Sequence, residues 1–155
     1  MKNNRGFTMV EMLTVVGIVV IIAAVALPYG SIFLAQSKLQ ETTLNVVDAL
    51  RRTQSRSMSG MGGEPWGVHL ASTDITLFRG AAYDSGDYEN EVIDLPEISP
   101  INTISLNGGG DDVIFNRIIG DTSEWGTIVV DDANSDAQAT ITISEVGLIE
   151  YDYNL

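Results

Sequence analysis

The first third of the chain carries a long apolar run that contains a single charge. The run extends from Phe7 to Leu27, and Glu11 is its only charged residue. An α-helix of this length spans roughly 31 Å, about the hydrocarbon thickness of a bilayer. The pattern therefore predicts a transmembrane helix half over residues 7–28. A carboxylate in such a segment is costly and usually has a function, so Glu11 is the first candidate functional residue.

A second helical pattern follows Pro28. Proline lacks an amide hydrogen and clashes with the preceding turn, so Pro28 predicts a helix break. Beyond it, apolar residues recur at steps of three or four, as on the packed face of an amphipathic helix. Gly60, Gly62 and Gly63 end the pattern, which predicts an amphipathic helix half over residues 29–59. The stripe that we expect to pack on a sheet consists of Ile32, Ala35, Leu39, Thr43, Val46, Val47 and Leu50.

From residue 64 apolar and polar positions alternate, the pattern of half-buried strands. In the first such segment, Trp66, Val68 and Leu70 share one face and His69 lies on the other. One long helix and about eight short strands predict an α+β fold. In this fold the helix packs on an antiparallel β-sheet, within an acidic body of residues 60–155. The other strand candidates are residues 75–79, 92–95, 101–106, 113–118, 127–130, 139–144 and 148–153.

Charge and composition exclude several functions. The 155 residues include 21 acidic and 8 basic side chains, for a formal net charge of −13. Every charged residue after Arg117 is acidic. Binding to phosphates requires clustered Lys and Arg, so no nucleic-acid partner is expected. The chain has no cysteine, which excludes thiol catalysis, disulfides and cysteine metal sites.

No catalytic constellation surrounds the single histidine, so the chain is not expected to be an enzyme and no cofactor is predicted. His69 is expected to face solvent on its strand. Residues 108–110 are glycines without the Gly-Lys-Ser/Thr of a phosphate-binding loop. Loop carboxylates are ligands that Ca²⁺ accepts, but no EF-hand spacing is present, and solvated loop charge is the alternative. These carboxylates are Asp84, Asp87, Glu89 and the pairs Asp111–Asp112 and Asp131–Asp132.

Three interpretations of the N-terminus compete. In the first, the apolar run is a plain membrane anchor, and Lys2 and Arg5 hold the N-terminus in the cytoplasm. In the second, the run is a secretory signal peptide cut near Ala26, where the residues match an A-x-A site. The product would then be an exported soluble extracytoplasmic binding domain.

The third interpretation accounts for Glu11. A peptidase that cuts between Gly6 and Phe7 removes residues 1–6 and leaves a free amine on Phe7. Glu11 is then the fifth residue, and its carboxylate lies one turn from the amine. A buried carboxylate needs a cationic partner. The terminal amine of a neighbouring subunit could supply it if the helices are staggered lengthwise.

The segment from Lys2 to Leu27, with RGFTMVEML at its core, resembles the N-terminal cleavage and methylation segment of type IV pilins and pseudopilins. The resemblance implies that a short leader ends at Gly6 and is removed by prepilin peptidase. It further implies N-methylation of Phe7 and an assembly role for Glu11. Pro28 falls where these proteins often have a helix-disrupting proline.

The body has a weaker resemblance. A WGVHL strand after a glycine turn and a final ITISEVGLIEY segment are similar to the minor pseudopilin domain of the GspH and FimT kinds. The resemblance implies a structural subunit, and a minor one, of a type IV pilus or type II secretion pseudopilus. Its partners would be other pilin or pseudopilin subunits, prepilin peptidase and the membrane. The protein would cross the bacterial cytoplasmic membrane once, with the body extracytoplasmic, and then enter a filament.

Two further groups of side chains have alternative interpretations. Arg51, Arg52 and Arg56 lie in the last turns of the helix, where the negative end of the helix dipole favours them. The other hypothesis is that they pair with acidic bodies of neighbouring subunits. Tyr151 and Tyr153 share one face of the last strand, so we expect them to pack or to line an interface.

Overall fold

The computed structural model describes residues 7–133 and 135–154. Residues 1–6, Asn134 and Leu155 lie outside the described part, as do the side chains of residues 25–35. The predicted leader and its last residue, Gly6, therefore fall outside it. The chain divides into two units, Met1–Leu34 and Ala35–Leu155.

Helix α1 extends over Met9–Met58. In the first unit, all of the described side chains, from residue 7 to residue 24, are exposed. Among the described residues, no helix combines the length and apolarity that a bilayer crossing requires. The helix is assigned through position 28, but the side chain of Pro28 lies outside the described part. The predicted transmembrane half and the predicted helix break both stay predictions.

In the second unit, the predicted stripe of α1 is buried wherever its side chains are described. Leu39, Val46 and Leu50 have no exposed surface. The side chains of Ile32 and Ala35 lie outside the described part. Buried Thr43 and Thr53 satisfy their hydroxyls on the carbonyls four residues earlier, at 2.7 Å each. The helix ends before Gly60, which adopts a φ of 69° that glycine tolerates.

Eight strands follow a short 3₁₀ helix at Met61–Gly63. All eight predicted strands are present, and the predicted α+β class is confirmed. The strands form two antiparallel four-stranded sheets rather than one: β3-β2-β1-β5 and β4-β6-β7-β8. The reason is that β5 returns to pair with β1, while β4 pairs with β6. The strands are β1 Trp66–Leu70, β2 Asp74–Arg79, β3 Glu91–Asp94, β4 Ile101–Leu106, β5 Asp112–Phe115, β6 Gly126–Asp131, β7 Gln138–Ile143 and β8 Ile149–Asn154.

One hydrophobic core joins the buried stripe of α1 to both sheets. Val68 and Phe115 enter it from the first sheet, and Ile128 and Ile141 from the second, all without exposed surface. Each such large side chain contributes about 1.5–3 kcal/mol when fully buried. The core therefore fixes the end of α1 against the sheets and sets which loops lie near it.

One strand is shorter than predicted. The expected strand over residues 113–118 ends at Phe115, because the chain turns after it. The Asn116 amide donates to the carbonyl of Asp121 at 2.8 Å, and the Gly120 amide donates back to Asn116 at 3.0 Å. Ile118 lies inside this closed loop with a φ of 73°, so it cannot continue a strand.

Candidate assembly site

The start of α1 is built by a local capping motif. The Glu11 amide donates to the Thr8 hydroxyl at 3.2 Å, and the Met12 amide donates to the Thr8 carbonyl at 3.2 Å. A threonine cap followed three residues later by glutamate is the sequence signature of a capping box. The same Thr-x-x-Glu spacing is visible in the sequence, so this role of Thr8 was predictable but was missed.

Glu11 lies in the first turn of α1, one turn after Phe7. Both side chains are exposed, Phe7 to 77%. A negative charge in the first turn interacts favourably with the positive end of the helix dipole. No ion pair to Glu11 occurs among the described residues, so its carboxylate is available to a group from another molecule.

An exposed apolar surface continues from this point along α1. Large apolar side chains in residues 9–24 are between 51% exposed, at Val15, and 85% exposed, at Met9. A contiguous exposed apolar surface of this kind marks contact with a membrane or another protein.

The arginines near the end of α1 are bound within their own chain. Glu91 on β3 accepts from Arg52 at 2.7 Å and from Arg56 at 2.9 Å. The hydrogen bond from Arg56 lowers the pKa of the Glu91 carboxyl most, and that from Arg52 lowers it further. Arg51 donates to the Ile149 carbonyl at 3.2 Å. Within the chain, Arg52 and Arg56 thus have acidic partners, Glu91 for both and Asp48 for Arg52, and the hypothesis that these arginines pair with neighbouring subunits stays a prediction.

His69 does not simply face solvent, as expected. Its Nδ1 lies 2.6 Å from Oδ1 of Asp112 on the neighbouring strand β5, and its side chain is only 25% exposed. The Tyr83 ring stacks on the imidazole with 4.0 Å between centroids. The expectation was wrong because the partners come from β5 and from the loop after β2, which strand alternation does not place.

Several carboxylates of the acidic loops form hydrogen bonds or ion pairs within the chain. Asp84 accepts from the Gly86 amide and Asp87 from the Glu89 amide, each at 2.9 Å. Glu89 pairs with Arg79 at 2.8 Å, and Asp131 accepts from the amide of Asn102. Within residues 7–133 and 135–154, no three His, Asp or Glu side chains come together to hold a metal ion.

The two tyrosines of β8 contact each other edge to face, with 5.6 Å between ring centroids. Tyr153 packs against the core, and burial raises the pKa of its hydroxyl. Tyr151 remains 40% exposed. Packing is thus the role of Tyr153.

Comparison with known families identifies the N-terminal segment. Residues 1–27 match the model of the prokaryotic N-terminal methylation motif. The segment is thus type IV pilin-like, as in a precursor that prepilin peptidase processes, and proteins with this motif are structural. No curated protein and no solved structure was found to match the chain. The motif assigns the class of precursor and leaves the body without a matched relative.

Proposed function

We propose that the chain is a structural subunit, and a minor one, of a type IV pilus or a type II secretion pseudopilus. Prepilin peptidase cuts after Gly6, and the new amine of Phe7 is methylated. The observation that carries the proposal is the methylation motif at residues 1–27, which contains the first stretch of α1, residues 9–24, where the apolar side chains are exposed.

Glu11 guides assembly in this proposal. The carboxylate pairs with the Phe7 amine of a neighbouring subunit and sets the lengthwise stagger of the helices. Thr8 supports this role, because its cap fixes the first turn that carries Glu11. Pro28 breaks the helix between a membrane half, residues 7–28, and an amphipathic half, residues 29–59.

Before assembly, residues 7–28 cross the bacterial cytoplasmic membrane once. The apolar run of the sequence supports this proposal, as do Lys2 and Arg5 on its cytoplasmic side. The body of residues 60–155 is extracytoplasmic and belongs to the minor pseudopilin kind. Its partners are other pilin or pseudopilin subunits.

Nucleic acid is not a proposed partner of the body. Three of the arginines are held by carboxylates of the same chain: Arg52 and Arg56 by Glu91, and Arg79 by Glu89. Asp48 also pairs with Arg52, and the single guanidinium without a partner among the described residues, that of Arg117, does not form the cluster of basic side chains that phosphate binding needs on a strongly acidic chain.

The first test is the intact mass and N-terminal sequence of the protein from a membrane fraction of its native host. A chain that starts at Phe7 and is heavier by one methyl group supports the proposal. A chain that starts at Leu27 would instead identify the exported soluble domain released by signal peptidase. An uncut chain that starts at Met1 would contradict the filament function as well.

A second test separates assembly from processing. Glu11→Ala should leave cleavage and membrane insertion intact but remove the subunit from filaments, because the stagger-setting charge is lost. Glu41→Ala is the matched control, since Glu41 is an exposed glutamate on the same helix and, among the described residues, its ion pair is with Lys38. Normal incorporation of the Glu11 variant would contradict the pairing mechanism.

A further inference from the structure

Arg117 is an exposed cation without a partner among the described residues. Each of the other described basic side chains has one. Lys38, Arg52, Arg56 and Arg79 pair with carboxylates, and Arg51 donates to a carbonyl. An unpaired guanidinium on a strongly acidic chain stands out because suitable carboxylates are abundant.

Two exposed isoleucines follow Arg117 in a tight loop. Ile118 is 73% exposed and Ile119 is 71% exposed. The Ile119 amide donates to the Arg117 carbonyl at 2.8 Å across Ile118, whose φ is 73°. A three-residue turn with this hand is rare and strained, and such a conformation costs about 1–3 kcal/mol. The two isoleucine side chains are not buried in the described structure, so burial of apolar surface does not offset this strain.

The loop is nevertheless held firmly by the end of α1. The Ile118 amide donates to the Ser57 carbonyl at 3.3 Å. The side-chain amide of Gln54 donates to the carbonyls of Gly120 and Gly147, at 2.8 and 2.7 Å. Gln54 thereby ties the loop to the turn between β7 and β8, where Val146 and Leu148 are 75% and 55% exposed. We call Ile118, Ile119, Val146 and Leu148 the loop patch.

A complementary surface lies on the outer face of β7 and β8. In the strand register, Thr140 faces Asp152 and Thr142 faces Glu150, and the four side chains line a shallow open groove. Neither Glu150 nor Asp152 forms an ion pair with any described residue. We call these four residues the acidic face. It offers carboxylates for a guanidinium and threonine methyl groups for apolar side chains.

We propose that Arg117 and the loop patch of one copy dock on the acidic face of a second copy. The inference rests on the proposed function, since a filament subunit must contact its neighbours. Arg117 binds Glu150 and Asp152, while Ile118 and Ile119 pack on the threonines. The loop is rigid before docking, so little conformational entropy is lost on binding. Because the two surfaces differ, the contact can repeat along a filament.

Disulfide cross-linking tests the contact cleanly, because the native chain has no cysteine. The full-length protein is purified in detergent from its native host as two single-cysteine variants, Ile119→Cys and Thr142→Cys. One variant carries a size tag, and the two are mixed and oxidised. Heterodimers of Ile119→Cys with Thr142→Cys should exceed those of a control mixture of Val92→Cys with Thr142→Cys. Val92 is also an exposed aliphatic residue, but it lies on β3.

Charge reversal then tests the ion pair. Adding Arg117→Glu to the Ile119→Cys copy should reduce the heterodimer about tenfold, the effect of losing one close charge pair. Adding Glu150→Arg to the Thr142→Cys copy should restore it. All of these positions are exposed, and unchanged unfolding midpoints verify that each variant is folded.

Three results would overturn the inference. In the first, the yield of heterodimer is no higher than in the control mixture. In the second, the paired charge reversals do not restore the yield of heterodimer. In the third, the Ile119→Cys homodimer predominates, which would indicate a contact of loop with loop. The intact mass of the same samples keeps the two proposals apart. A chain that begins at Phe7 but does not cross-link overturns only the docking inference, and a cross-linked chain that is uncut overturns only the processing.

Discussion

The two described stretches of helix α1 have opposite environments. Residues 9–24 form the more apolar stretch, yet all of their side chains are exposed. Residues 36–58 are more polar, yet their apolar face has almost no exposed surface. Leu13 is 70% exposed, whereas Leu50 is fully buried. Burial along this helix therefore depends on whether the chain itself supplies an opposing apolar surface. The two sheets do so for the second stretch.

The largest expected difference is between the same substitution in the two stretches. Leu50→Ala should reduce the free energy of unfolding by about 2–5 kcal/mol, because it leaves a cavity in the core. Leu13→Ala should change it by less than about 0.5 kcal/mol, as exposed substitutions do. Urea unfolding followed by the fluorescence of Trp66 and Trp125 measures both. Equal effects would contradict the assignment of Leu50 to the core and of Leu13 to an exposed surface.

Two glycines, Gly17 in the first unit and Gly147 in the second, extend the comparison to effects of intermediate size on stability. A methyl group on Gly147 would collide with the Gly120 carbonyl, and the φ of Gly147 is 80°. Gly147→Ala should therefore cost at least about 1–3 kcal/mol. Gly17 has open space around it, so Gly17→Ala should cost nothing and should favour the helix by up to about 1 kcal/mol.

The control for backbone strain alone is Gly109→Ala. Gly109 has a similar φ of 75° but nothing within 4 Å of the added carbon. The urea midpoint of Gly147→Ala should fall below that of Gly109→Ala. Identical midpoints would indicate that the contact between the two loops contributes nothing.

A smaller effect is expected at the start of the exposed stretch. Thr8→Ala removes the hydroxyl that caps α1 and should cost about 1 kcal/mol of local helix stability. The amide hydrogen of Glu11 should then exchange about fivefold faster. Thr8→Ser retains the hydroxyl and should exchange at nearly the native rate. If serine and alanine behaved alike, the cap would not be what orders this turn.

The smallest effect concerns Glu91, which holds Arg52 and Arg56 on the body. Arg56 and then Arg52 lower the pKa of Glu91 below its usual 4.5. The stabilisation is therefore present above pH 4.5 and is lost as the pH falls through the lowered pKa. Glu91→Gln should cost about 0.2–1 kcal/mol at pH 7, the range for exposed ion pairs.

Near pH 3 the difference between native protein and Glu91→Gln should shrink. Urea unfolding at both pH values measures it, with Glu97→Gln as a control, since Glu97 is exposed and has no ion pair among the described residues. A difference that grew on acidification would reverse the sign of the linkage and contradict the ion-pair assignment.

Much of the fold was predictable because its signals are local. The three- and four-residue spacing between Leu39 and Leu50 predicted the buried helix face, and alternation predicted each of the eight strands. The end of β5 was not predictable, because VIFNRII has an apolar pattern that continues past Phe115. There the turn is imposed by the hydrogen bond between the Asn116 amide and the Asp121 carbonyl and by the contact of Ile118 with the end of α1. Residues adjacent in sequence reveal neither of these contacts.

The sequence by itself determined the precursor segment, the long helix, the strands and the acidic charge. These depend on residue type and spacing, so they can be derived from the residues before any contact is known. The tertiary structure alone decided that Glu91 binds both Arg52 and Arg56, that Asp112 holds His69, and that Arg117 has no partner in the described part of the chain. These depend on which distant segments the core brings together, because hydrogen bonds and ion pairs act over a few ångströms of space, whatever the distance along the chain.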